Sequence, residues 1–211
     1  MQAAPHQAIS PASPFPANTR LAASGVACRR GERVLFAGLA LALGPGEACQ
    51  IAGANGIGKS SLIRILAGLA PAYAGAVERA GTVGLIDERL GLDPALPLSE
   101  ALAFWARIDG VGAEARAGHL ATLGLGELGD VPVRYLSTGQ KKRAALARLL
   151  GQGAAIWLLD EPLNGLDTAA CAVVERLAAE HCAAGGICVI ASHQRLALPG
   201  MRVLELAEFV A

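Results

Sequence analysis

The sequence is short of several things that would settle its class at once. It has no charge of one sign in excess: Lys+Arg and Asp+Glu are 18 each. A chain whose main work is gripping nucleic acid needs clustered cations to neutralise phosphates, so that class is disfavoured. The local KKR at 141–143 reads as the solvated face of a helix. The cysteines at 28, 49, 171, 182 and 188 include no CxxC pair. They read as reduced core residues rather than a zinc site or a disulfide framework. No uncharged apolar run is long enough to span a bilayer. The opening MQAAPHQAISPASPFPANTR lacks a basic stretch followed by a continuous apolar one, so it does not resemble a secretory signal. Its prolines among Ala and Ser predict a disordered tail over 1–20, with the folded domain starting near Leu21. No internal repeat is visible.

What is present is a core. Hydrophobic residues make up 53% of the 211 positions, enough for one domain of 21–211. Short apolar segments bounded by turns predict strands. They fall at 33–43, 48–53, 81–87, 155–161, 187–192 and 202–206. Leu62, Ile63, Ile65, Leu66 and Leu69 predict a helix ended by Gly68 and Pro71. A second helix is predicted over 168–185. Between about 90 and 150 the pattern is mostly helical, broken by Gly and Pro. Strands alternating with helices predict an α/β fold, a mostly parallel sheet covered by helices, with the 90–150 block as an inserted helical subdomain.

Two segments carry chemistry. GANGIGKS, Gly53 to Ser60, satisfies G-x-x-x-x-G-K-[ST]. Gly53, Ala54, Asn55, Gly56, Ile57 and Gly58 would let backbone N–H groups converge on a phosphate. Lys59 would neutralise β/γ oxygens, and the Ser60 hydroxyl would reach Mg²⁺, with Ser61 beside it. A chance match is the alternative in a chain with 26 glycines. The context argues against it, since a buried strand precedes the segment and an amphipathic helix follows. IWLLDEP ends a buried strand on two acids. Asp160 is placed to meet Mg²⁺ at the sheet's carboxyl edge, and Glu161 to polarise an attacking water. The alternative is a strand end with two solvated acids. His193, in SHQ after another strand, reaches the same edge and could touch a γ-phosphate. A third segment, LSTGQKKR from Leu136, reads as a helix start capped by Ser137, and a bare helix start can bind an anion.

Together these segments resemble the nucleotide-binding subunits of ABC transporters, over nearly all of 21–206. GANGIGKS is similar to the Walker A motif, IWLLDE to Walker B, LSTGQ to the signature motif, NGLD (164–167) to the D-loop, and His193 to the switch histidine. The resemblance implies a P-loop NTPase sheet with an antiparallel β edge and a helical subdomain. It also implies ATP and Mg²⁺ as cofactors, with Glu161 as general base and His193 as γ-phosphate sensor. Ser137, Gly139 and Gln140 would cover the ATP of a second copy in a sandwich dimer, with Asp167 as a link across it. Integral membrane permease subunits would be the partners, and the chain would sit on the cytoplasmic face of the inner membrane without spanning it. Within the family the resemblance is greatest to the ATPases of haem export and c-type cytochrome maturation. It is carried by ERVLF, GPGE, LPL, VPVRYLSTGQKKRAALARLL and SHQ. An ATPase of another small-substrate exporter, or a non-transport relative, is the alternative. The chain departs from the pattern at Thr138, where glycine is usual. It departs again at 84–92, where GLIDERLGL offers Asp87, Glu88 or Arg89 in place of a glutamine. The adenine-stacking aromatic is also missing, and Arg30 lies near that position.

Overall fold

A computed structural model describes residues 13–194 and 196–210. The elements run β1 (Arg20–Arg30), β2 (Arg33–Leu43), β3 (Ala48–Ala52), α1 (Lys59–Ala67), β4 (Ala74–Ala80) and β5 (Val83–Ile86). Then come α2 (Leu98–Asp109), α3 (Ala113–Thr122), α4 (Thr138–Gln152), β6 (Ile156–Asp160), α5 (Thr168–Ala183), β7 (Ile187–Ala191) and β8 (Arg202–Glu205). They form a parallel sheet ordered β5-β6-β7-β3-β8 and an antiparallel sheet ordered β2-β1-β4. The expected α/β class, the antiparallel edge and the helical block are all present.

The central strands β6 and β7 are apolar without interruption because both of their faces are covered. Side chains alternate between two cores. Ile156, Leu158, Ile187 and Val189 point to one side, where Leu62, Ile63 and Leu66 of α1 lie between the two sheets, against Leu21, Phe36 and Leu39. Trp157, Leu159, Cys188 and Ile190 point to the other, against residues of α2, α4 and α5 such as Leu98, Leu146 and Val174. The cysteines are free, with Cys28, Cys49 and Cys188 buried.

Two strands were not visible in the sequence. In β1, RLAASGVACRR, register shifts against both neighbours break the two-residue period. In β4, AGAVERA has little β propensity and is mostly exposed. Segment 33–43 is a single strand. Of the expected tail, residues 1–12 lie outside the described residues. Within 13–20, the Ser13 hydroxyl donates to the Ala184 carbonyl, the Phe15 ring packs on that of His181 at 5.0 Å between centroids, and Thr19 is buried.

The basic run is not a free solvated face. Lys141 donates to the Arg134 carbonyl, Lys142 to that of Asp160, and Arg143 to those of Leu123 and Gly124. Helix ends leave carbonyls without partners, and Arg143 satisfies those at the end of α3. Among the described residues, no helix is long and apolar enough to cross a membrane.

Candidate functional site

The loop from Gly53 to Gly58 joins β3 to α1 at the carboxyl edge of the parallel sheet. Three of its glycines have left-handed backbone: Gly53 (φ 143°), Gly56 (φ 80°) and Gly58 (φ 119°). Space is also short at the last of these, where a Cβ would lie 3.2 Å from the Phe36 ring. Gly58 caps α1 with no side-chain hydrogen bond, and the first turn of the helix carries no acid. The positive end of α1 is therefore left bare, as an anion site requires.

Lys59 is buried, and its ammonium donates to the carbonyls of Gly53 at 2.8 Å and Ala54 at 3.3 Å. It lies 3.6 Å from Glu161 Oε1. Burying a cation is costly unless something pairs with it. The loop's own carbonyls and Glu161 supply that pairing where an anion's oxygens would also be welcome.

Asp160 ends β6 and is buried, with its Oδ1 bonded to no protein group. Burial raises the Asp160 pKa, and the neighbouring Ser60 hydroxyl pulls it partly back. An orphaned carboxylate oxygen beside a hydroxyl is an oxygen donor set suited to Mg²⁺. That ion takes one or two protein ligands and keeps water and phosphate for the rest. This accounts for why no cluster of three or more metal-ligating His, Cys, Asp or Glu is found among the described residues.

Glu161 has φ 46°, and it is the one non-glycine with positive φ among the described residues. Such a backbone costs about 1 kcal/mol or more and persists only where neighbours over-determine it. Its N–H donates to the Ala191 carbonyl at 2.8 Å. Its Oε2 lies 3.0 Å from His193 Nδ1. The resulting row, Lys59–Glu161–His193, lies along one cleft of about 530 Å³. Asn55, Gly56, Gly58, Ser60, Ser61, Glu88, Asn164, Arg30 and Leu35 complete its lining.

The residues predicted from Gly53 to Ser61, with Asp160, Glu161 and His193, thus meet at one edge. Ser137, Gly139 and Gln140 do not line this cleft. Ser137 and Gln140 form a reciprocal capping box: the Ser137 Oγ accepts from the Gln140 N–H, and the Gln140 Oε1 accepts from the Ser137 N–H. Gly139 packs on NGLD, where a Cβ would sit 2.6 Å from the Gly165 carbonyl oxygen. Asp167 caps α5 by accepting from the Ala170 N–H.

Three further groups shape the site. Gln50, buried in β3, donates to the carbonyls of Ser192 and Gln194 and so fixes the turn that carries His193. A lone amide inside the apolar ACQIA was the available signal. Asn164 lies in NGLD and would have been found by asking which of its side chains face the sheet edge. At 84–92, Asp87 is buried and pairs with Arg64 at 3.0 Å, while its Oδ1 accepts from the Arg89 N–H. Asp87 is therefore turned towards α1, and Glu88 is the acid of this loop that lines the cleft.

A bare helix start behind a glycine loop, a buried lysine and a strand-end acid define a P-loop nucleotide-binding protein. The ABC transporter profile matches residues 36–164. The chain is 58% identical over 190 residues to the cytochrome c biogenesis ATP-binding export protein CcmA of Novosphingobium aromaticivorans, covering 90% of this chain and 96% of that one. It is 51% identical to the protein of the same name from Zymomonas mobilis, covering 92% and 87%. A Pyrococcus furiosus structure described as an ABC transporter ATP-binding protein has the same fold, with a TM-score of 0.80 at 19% identity, covering 92% and 100%. The chain belongs to the ABC transporter family, as an ATP-binding subunit with ATPase activity coupled to transport.

Proposed function

We propose that this subunit powers haem export in c-type cytochrome biogenesis. The observation that carries the reading is its 58% identity, across 96% of the relative's length, to a protein named for that process. Its working form is two copies with two ATP molecules between them. It docks on integral membrane permease subunits from the cytoplasmic face of the inner membrane.

The cleft supports a hydrolytic cycle. The loop N–H groups and Lys59 hold the β- and γ-phosphates, and Arg30 lies where the base would rest against its guanidinium plane. Ser60 and Asp160 are the residues that would hold Mg²⁺, which when bound offsets charge on the phosphate oxygens. Glu161 accepts a proton from the water whose oxygen bonds to the γ-phosphorus as the bond to the β–γ bridging oxygen breaks. His193 steadies Glu161 through Nδ1 and presents its other nitrogen to the γ-phosphate. Ser137, Gly139 and Gln140 start α4 at a helix end that is not spent on their own chain's cleft. That end is capped but exposed at Ser137 and Thr138, which supports its closing over the nucleotide of the second copy.

The test is a haem stain of c-type cytochromes in host cells carrying Glu161→Gln at the native locus, read beside the b-type spectrum. Loss of covalent haem with b-type haem intact is expected. Normal c-type cytochromes, with the variant protein present, would overturn the haem assignment and favour another small substrate.

A further inference from the structure

The KKR run, which reads as a solvated face, contains the one basic side chain of α4 that reaches the hydrolytic edge. The Lys142 Nζ donates to the Asp160 carbonyl at 3.3 Å. Burial lowers its pKa, and the negative charges of Asp160, Glu161, Glu88 and Asp87 in the same region partly oppose this. The bonded carbonyl belongs to the peptide that joins Asp160 to Glu161. The other polar end of that same peptide, the Glu161 N–H, donates to Ala191 of β7 at 2.8 Å. The peptide plane is therefore held on one side by the sheet and on the other by α4. From it Glu161 leaves with φ 46°, a conformation its own chemistry disfavours.

About one turn before Lys142, α4 opens with the Ser137–Gln140 capping box, where Ser137 and Thr138 are exposed. A single rigid helix thus carries both the nucleotide-facing start and the lysine that braces Glu161. We propose that Lys142 is a positioning residue. It orients the Asp160–Glu161 peptide for hydrolysis and passes engagement of α4 by the second copy's nucleotide to the Glu161 of its own chain. This rests on the ATPase and sandwich-dimer reading above. It gives that reading a physical route by which each site senses the other, through one ammonium–carbonyl bond.

The experiment uses the full chain co-purified with its membrane partners. It compares the unaltered protein with Lys142→Met and Lys142→Arg for steady-state hydrolysis, binding of a fluorescent ATP analogue, and thermal melting. Lys142→Met should lower kcat about tenfold while leaving nucleotide affinity within about twofold, because the lysine acts on Glu161 and not on the phosphate cradle. The unaltered protein should show a sigmoidal dependence of rate on ATP, and Lys142→Met a hyperbolic one. Lys142→Arg keeps a donor for the carbonyl and should recover most of kcat and the sigmoidal curve. Unchanged kcat in Lys142→Met would overturn the proposal alone. So would a loss of rate, affinity and melting temperature together that Lys142→Arg does not relieve, since that pattern marks a merely structural role. Failure of the unaltered chain to bind the ATP analogue would remove the ATPase reading, and this proposal with it.

Discussion

His181 should make the fold acid-sensitive by an amount that can be calculated. The residue lies near the end of α5, only 6% exposed, with its ring stacked 4.0 Å from that of Trp157 and the Phe15 ring inclined to it at 64°. Its Nε2 lies 3.2 Å from the Ile187 carbonyl. Burial drives its pKa from 6.5 down to about 4, and the Ile187 and Ala155 carbonyls only partly oppose this. The folded state therefore refuses a proton that the unfolded state accepts between those two values. Where the unfolded state binds more protons, stability falls as pH falls. The contribution is intact above about pH 7, shrinks through the window from 6.5 to 4, and is fully lost below it. At about 1.4 kcal/mol for each pH unit, a drop to about pH 5.5 should cost about 1.4 kcal/mol through this group alone, and the whole window about 3 kcal/mol. The assay is urea unfolding at about pH 7.5 and about pH 5.5 for the unaltered chain and His181→Phe. The phenyl ring keeps an aromatic face for Trp157 but gives up the bond to Ile187, so the variant should be weaker at the higher pH by about 1–3 kcal/mol. Its further loss on acidification should be smaller than that of the unaltered chain by about 1.4 kcal/mol. Parallel losses in the two proteins would refute the reasoning, because the proton would then be taken up elsewhere.

Two other substitutions probe the cleft and the packing behind it. Lys59→Ala removes the buried cation and should weaken ATP binding by at least about tenfold in an equilibrium titration, with the melting temperature nearly unchanged; unaltered affinity would place the phosphates elsewhere. Gly139→Ala puts a methyl 2.6 Å from the backbone oxygen of Gly165, so one of the two loops must move. Overpacking of this kind costs about 1–3 kcal/mol in chemical denaturation, and full stability would mean that NGLD yields freely.

What could be read from the sequence was what is local. The phosphate loop, the strand-end acids and the signature helix are each contiguous, and each is dictated by neighbours within a few residues. Even the capping box is written in the three-residue spacing of Ser137 and Gln140. What could not be read depends on distant partners. Lys142 and Arg143 resemble surface charges until Asp160 and Leu123 are brought to them across 18 and 20 residues. β1 and β4 are strands because they pair with each other, not because Ala and Gly favour extended chain. Gln50 looks out of place in an apolar strand until the turn after β7 arrives with two carbonyls for its amide.

The loop after β5 shows how such a distant partner changes a chemical reading. Taken alone, DER offers two acids and a base in place of the glutamine that the family pattern leads one to expect. Arg64, in the second turn of the helix after the phosphate loop, removes the first acid from contention by pairing with it. The Asp87 charge is already offset by the guanidinium of Arg64, and its other oxygen is held by a backbone N–H, which disfavours a second cation there. Arg89 does not line the cleft, which leaves Glu88 as the group that this loop presents to it. The same ion pair ties the loop to α1, the helix whose start faces the phosphates. The loop's position thereby depends on the phosphate-binding helix through Arg64, whatever the nucleotide itself contacts.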